Sequence, residues 1–102
     1  KNAAEHCNRT YERSGIYIAI AIEPEPGCIL GDGASTRAFF QQFLLDGSDH
    51  ERYRRHLTVC HDVCHAAVMR ESQAEEVNAY QQQGIRIGKV QISSAIKVNW
   101  QA

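Results

Sequence analysis

The chain has 102 residues, enough for one small domain whose single core hides about two thirds of its extended surface. Its 11 Lys plus Arg stand against 12 Asp plus Glu, for a net charge of −1. That balance excludes a global field drawing the protein to nucleic acid or to an anionic membrane. No apolar run approaches the roughly 20 residues needed to cross a bilayer, and the opening residues form no signal core. The bulk properties therefore predict a soluble, cytoplasmic protein, with basic residues clustered only at Arg52, Arg54 and Arg55. There is no initiating Met and both ends cut into patterned segments, so the chain reads as an internal piece of a longer protein.

In chain order, Ala3, Ala4, Cys7 and Tyr11 fall at helical spacing over 3–14, and Gly15 supplies a stop. Residues 16–23 (IYIAIAIE) make an almost unbroken apolar run, which predicts a parallel strand buried on both faces. Ala19 and Ala21 share a face with Glu23, while Ile18, Ile20 and Ile22 point the other way. Residues 24–34 carry Pro24, Pro26 and several glycines and read as a loop. Ser35 is the expected cap of a helix over 36–45, with Phe39, Phe40, Phe43 and Leu44 as its apolar stripe and Asp46 and Gly47 as its end. The polar segment 48–56 receives no assignment.

LTVC (57–60) leads into HDVCH (61–65), a short strand ending in charged and metal-capable side chains. Ser72 and Glu75 form an expected capping box, Val77 and Tyr80 the buried face of the helix it starts, and Gly84 its end. Residues 85–92 (IRIGKVQI) return to a strand, with Lys89 and Gln91 opposite in parity to Val90 and Ile92. The order predicts an α/β fold with three parallel strands, near 16–23, 57–61 and 86–92, side by side in that order with helices on the outer face.

Chemistry in such sheets collects at the carboxyl ends of the strands, and Glu23, Asp62 and Gln91 fall there. A carboxylate ending a buried strand must be paired, hydrogen-bonded or metal-bound, which makes Glu23 either a ligand or an ion-pair partner of Lys89. Glu25, in the loop, reads as a contact on the rim. Asp62 and His65, three apart, reach one opening if the strand stops and a turn begins. A carboxylate and an imidazole suit a divalent ion such as Zn, Mn, Co or Fe better than Mg. Glu23 and Asp62 should then converge within about 5 Å, as two ligands of one ion require. His61 should face the helix layer.

Cys60, His61, Cys64 and His65 do not make a convincing structural zinc set, since no second cysteine pair lies nearby. Three of the four cysteines sit in periodic segments, where Cys behaves as a small buried hydrophobe, which argues against a disulfide framework. Asp32, between Gly31 and Gly33, lacks the Lys-Ser/Thr of a phosphate loop and reads as a turn before a helix.

The segments AIEPEPG, CHDVCHA and GKVQISSA resemble the xylose-isomerase-like superfamily of TIM barrels, which holds sugar-phosphate isomerases and epimerases, hydroxypyruvate isomerases and the endonuclease IV class. Within it the chain is most similar to the EboE-like metabolite traffic branch. The resemblance covers almost the whole chain and implies that residues 1–102 are an internal fragment of a (β/α)8 barrel, a partial TIM barrel spanning strands five to seven. It implies that Glu23, Asp62 and Gln91 are metal ligands for Mn, Zn, Co or Mg. It further implies that His65 contacts substrate or a further metal. From their own chemistry and placement, Glu23, His65 and Lys89 are the candidates for catalysis, and Glu25, His65 and Gln91 for substrate contact. Two departures from the family stand out. A further glutamate on strand eight would lie beyond Ala102, and Gln91 stands where many members place a histidine, although hydroxypyruvate isomerases also place a glutamine there.

The function so implied is isomerisation or epimerisation of a small carbohydrate-like or hydroxy-carbonyl substrate through an enediolate. The alternatives are a non-catalytic metabolite-binding or traffic barrel and an endonuclease IV-like phosphodiester hydrolase; the latter gains from the three arginines and loses from Gln91 and the balanced charge. A three-strand excerpt of a barrel exposes two edges, so the isolated chain is expected to be catalytically silent and to self-associate.

Overall fold

The computed structural model describes residues 1–101. Helix α1 (Asn2–Ser14) carries Glu5 in its first turn and Arg13 in its last, complementing the helix dipole. Gly15 closes it at φ 72°, its N–H bonded to the Tyr11 carbonyl at 2.8 Å, a left-handed position that costs glycine nothing. Strand β1 (Ile20–Ile22) follows, then α2 (Gly33–Phe39), which runs into a π-helical turn (Phe40–Leu44). Next come α3 (His50–His56), β2 (Leu57–Asp62), α4 (Val63–Val68), α5 (Gln73–Gln82) and β3 (Ile87–Gln91).

The three strands are parallel and lie in the order β1-β2-β3. The α/β class and the strand order thus agree with the sequence reading, but the sheet is open and does not close into a barrel. Leu57, Val59, Ile85, Tyr80, Tyr53, Phe40, Leu44 and Ala4 form the core, with Ile22 and Ile87 packed against it. Of the three described strands, β2 alone is buried along its whole length.

Three expectations need correction. The first strand is three residues long, not eight, and is half-open: Ile16, Tyr17 and Ile18 are 61%, 46% and 42% exposed. The reason is that Ile20 already pairs with Leu57, the first residue of β2, so the residues before it face the end of α3 and have no strand to join. They are tied there by side chains instead, with the Tyr17 hydroxyl donating to the Arg55 carbonyl and His56 Nδ1 donating to the Ile18 carbonyl at 2.7 Å.

The second correction moves the helix start. Asp32, not Ser35, caps α2: its carboxylate accepts from Ser35 N at 2.7 Å while Ser35 Oγ accepts from Asp32 N at 3.3 Å, a reciprocal capping box. The π turn, closed by Leu45 N on the Phe40 carbonyl, then splits the expected apolar stripe. Phe40 and Leu44 are buried and Phe43 is 59% exposed. Third, 48–56 contains a helix. Its polar surface hides two buried positions, Tyr53 and His56, at a spacing of three. The predicted capping box of α5 is half made, with Ser72 Oγ accepting from Glu75 N at 3.4 Å.

Strand β3 carries a bulge. Val59 pairs with Ile87, but Cys60 pairs with Lys89, so Gly88 has no partner on β2. A Cβ on Gly88 would lie 2.1 Å from Thr58 Oγ1 and 2.8 Å from Thr58 Cβ, so only glycine fits against β2 here. Gly88→Val is expected to lower unfolding stability by roughly 1–3 kcal/mol, the usual cost of overpacking. Urea denaturation followed by circular dichroism measures it, and a midpoint equal to that of the unaltered chain would refute the close approach.

Candidate metal site

The bulge decides which way the end of β3 faces. Ile87, level with Val59, packs on the core, yet Lys89 and Gln91, two and four residues on, are level with Cys60 and Asp62 on the opposite face. Without the extra residue, strand alternation would send Lys89 and Gln91 to the core side. Glu23 directly follows β1 on the face of Ala21, and Asp62 ends β2, so the carboxyl ends of all three strands deliver polar side chains to one opening.

Asp62 is 8% exposed and ionised, because four donors converge on it. Oδ1 accepts from Cys64 N at 2.8 Å, His65 N at 3.1 Å and Ser93 Oγ at 2.7 Å, and Oδ2 accepts from Gln91 Nε2 at 2.7 Å. The Ser93 hydroxyl is the largest influence holding its carboxyl well below the usual carboxylate range; burial opposes it, and Gln91 and the two backbone amides assist. The same carboxylate caps α4, the helix that carries His65. One side chain therefore ends the strand, starts the helix and faces the opening.

One ligating atom each from Glu23, Asp62 and His65 lies within 4.8 Å of the others. The convergence expected of Glu23 and Asp62 is met, and His65 joins them. The His65 side chain is 28% exposed and its Nδ1 lies 3.5 Å from Glu23 Oε1. Nδ1 also lies 3.1 Å from the Pro24 carbonyl, which can only accept. That nitrogen therefore carries the proton in this arrangement, so an ion taken through Nδ1 would have to displace both that proton and the Pro24 contact.

Gln91 donates Nε2 to Glu23 Oε1 at 2.9 Å as well as to Asp62, while its Oε1 accepts from Lys89 Nζ at 2.7 Å. Its amide thus spans the two carboxylates as a donor. Among the described residues Lys89 makes no ion pair with Glu23; it acts on the cluster through Gln91. Glu25 is not one of the three ligating side chains. Its backbone closes the loop, with Glu25 N on the Leu30 carbonyl and Cys28 N on the Glu25 carbonyl, both at 3.0 Å.

His61 Nε2 lies 2.6 Å from Gln73 Oε1 on α5, facing the helix layer as the alternation predicts. Cys60 is buried, which pushes its thiol up and leaves it a packing residue. All four cysteines are free. Ser93 was missed by the sequence reading, although its parity with Lys89 and Gln91 in the run KVQIS marks it as facing the same opening.

A set of two carboxylates and one imidazole on adjacent strand ends suits a divalent cation, and the span already filled by an N–H donor pair shows where positive charge is favoured. Asp62 offers its oxygens without first losing a proton. No helix of the described residues is long and apolar enough to cross a membrane.

Because the folded-state value of Asp62 lies below the unfolded one, its ionised form stabilises the fold above about pH 4, and this contribution is lost as the pH falls further. Ser93→Ala removes the largest contributor. With chelator present to exclude metal, the variant is expected to be less stable by about 1 kcal/mol at pH 7, with the gap closing below pH 4. Urea midpoints at several pH values test this, and a gap that widens in acid would contradict it.

Comparison with protein-family models, with curated proteins and with solved structures gives no match to this chain. What the chain can be assigned is a small α/β domain with three parallel strands and a cluster of three side chains able to chelate a metal ion.

Proposed function

We propose that the Glu23, Asp62 and His65 cluster binds one divalent ion, and that the chain is the part of a metal-dependent (β/α)8 isomerase or epimerase that carries barrel strands five to seven. The observation behind this reading is the convergence of the three ligating atoms within 4.8 Å at the carboxyl ends of neighbouring parallel strands. A bound divalent ion would supply Lewis acidity toward the carbonyl and adjacent hydroxyl of a small hydroxy-carbonyl substrate. Glu23, the more exposed of the two carboxylates, is the group to exchange a proton with the substrate carbon. Lys89 offsets negative charge on the substrate oxygen, and Gln91, Glu25 and His65 offer it polar contacts.

The nuclease reading loses its main support. Arg52, Arg54 and Arg55 lie on α3, which runs into the amino end of β2, whereas the cluster is at the carboxyl end. Arg54 lines a surface cleft with Ile85 and Arg86 just before β3 begins, and Arg55 lies over the Tyr11 ring of α1.

Calorimetric titration of the metal-free chain with Mn, Zn or Co is expected to give one site. Glu23→Gln and Asp62→Asn should each weaken it more than tenfold, since even partners of the ligands are worth 10–100-fold. One-site binding that survives the double substitution would refute the assignment. For a longer protein containing this chain, the expected activity is metal-dependent exchange of a substrate carbon-bound proton with solvent deuterium. Binding of metal and substrate without exchange would favour a non-catalytic metabolite-binding barrel.

The open sheet also supports self-association of the isolated chain. Among the described residues, β1 and β3 each pair on one side only, and Ile20 and Val90 are 36% and 49% exposed. Sedimentation of the 102-residue chain is expected to show an average mass that rises with concentration. A strictly monomeric, catalytically competent chain would overturn both the excerpt reading and this one.

A further inference from the structure

We propose that Lys89 is a positioning residue: it locks the Gln91 amide in a cation-mimicking orientation, and this lock sets how tightly the Glu23, Asp62 and His65 cluster takes a divalent ion. The inference rests on the reading that the cluster binds metal. It starts from the asymmetry of a primary amide, which has an oxygen that only accepts and a nitrogen that only donates. Gln91 has three close partners, and all three favour the same orientation. The ammonium of Lys89 can only donate, and it sits 2.7 Å from Oε1. Carboxylate oxygens of Glu23 and Asp62 accept, and they sit 2.9 and 2.7 Å from Nε2. Turning the amide by half a revolution would set N–H against ammonium and oxygen against two carboxylates.

A divalent ion shared by Glu23 and Asp62 needs the oxygens that Nε2 now holds. It must either push the amide aside or turn it, so that Oε1 becomes an oxygen ligand of the kind hard cations take. The carboxylates permit that turn once the ion sits between them and Oε1. Lys89 still opposes it, because its own bond to Oε1 is lost and its charge lies near the incoming cation. Lys89 therefore works against metal, and it does so through Gln91. The bulge at Gly88 is what places both residues on this face, two positions apart.

A double-substitution cycle separates the lock from simple charge repulsion. Mn2+ affinity would be measured for the unaltered chain, Lys89→Met, Gln91→Leu and the double variant, with folding checked by circular dichroism. Lys89→Met is expected to tighten Mn2+ binding about tenfold when Gln91 is present, in the range by which partners of ligands tune metal sites. In the Gln91→Leu background the same change should alter affinity by less than about threefold. Equal tightening in both backgrounds, or weaker binding by Lys89→Met, would overturn the proposal.

The metal-free proteins give a second readout. The Gln91 side-chain NH2 signals of the unaltered chain should be shifted and protected from solvent exchange by their two carboxylate partners, and Lys89→Met should move them toward values of a free amide. Unmoved signals would overturn the lock. Moved signals together with no Mn2+ binding by any of the four chains would instead overturn the metal reading, and with it the affinity-setting role.

Discussion

Gly88 occupies no register position on β2, and the orientation of everything after it follows from that one extra residue. A strand has a side-chain period of two, so an insertion reverses the face of each later side chain. Before the bulge, Ile85 and Ile87 belong to the core with Val59. After it, Lys89 and Gln91 leave the core side and lie level with Cys60 and Asp62. Thr58 enforces glycine at the insertion, and Thr58 is itself fixed by its hydroxyl on the Ile20 carbonyl at 3.0 Å. The central strand thus controls both neighbours, holding β1 through that hydrogen bond and β3 through steric exclusion.

Two carboxylates brought within 4.8 Å repel each other by about 3 kcal/mol at an effective dielectric of 20, less where water screens Glu23. The fold offsets that repulsion without a cation. Backbone amides at the start of α4 and the Ser93 hydroxyl satisfy one oxygen of Asp62, and the Gln91 amide satisfies the other together with Glu23. The result is an opening that keeps its ligating atoms aligned, which lowers the reorganisation needed when an ion or a polar substrate arrives. Holding the arrangement by hydrogen bonds instead of by metal also makes it adjustable through residues that are not ligands, Lys89 and Ser93 among them.

The opposite end of the sheet is built differently. There α3 carries its basic residues Arg54, Arg55 and His56 in the last turn, next to the helix carbonyls. His56 is fully buried, with Nδ1 on the Ile18 carbonyl and its ring 5.5 Å from that of Tyr17. This end anchors the chain entering β1 and contributes no side chain to the cluster. The segregation of anchoring at the amino ends and polar chemistry at the carboxyl ends is the general division of labour in parallel α/β sheets.

The sequence by itself determined the α/β class, the parallel order of the strands and the positions of Glu23, Asp62 and Gln91 at their ends. These follow from patterns that are local, since apolar runs, Gly and Pro punctuation and caps each act over a few residues. It also made the convergence of Glu23 and Asp62 readable, because side-chain parity and strand order are enough to place both on one face. Tertiary structure alone decided the length of β1, which depends on where β2 begins, and the helix at 50–56, whose buried Tyr53 and His56 are recognisable only once α1 and the segment entering β1 lie against them. It decided the role of Asp32, because Ser35 is equally good cap chemistry until the backbone chooses between them. It decided the face of Lys89 and Gln91 too. The sequence assigned that face by opposing them to Val90 and Ile92, but Ile85 and Ile87 share their parity and argue for the core. Only the contact of Gly88 with Thr58, 30 residues away in the chain, resolves the conflict.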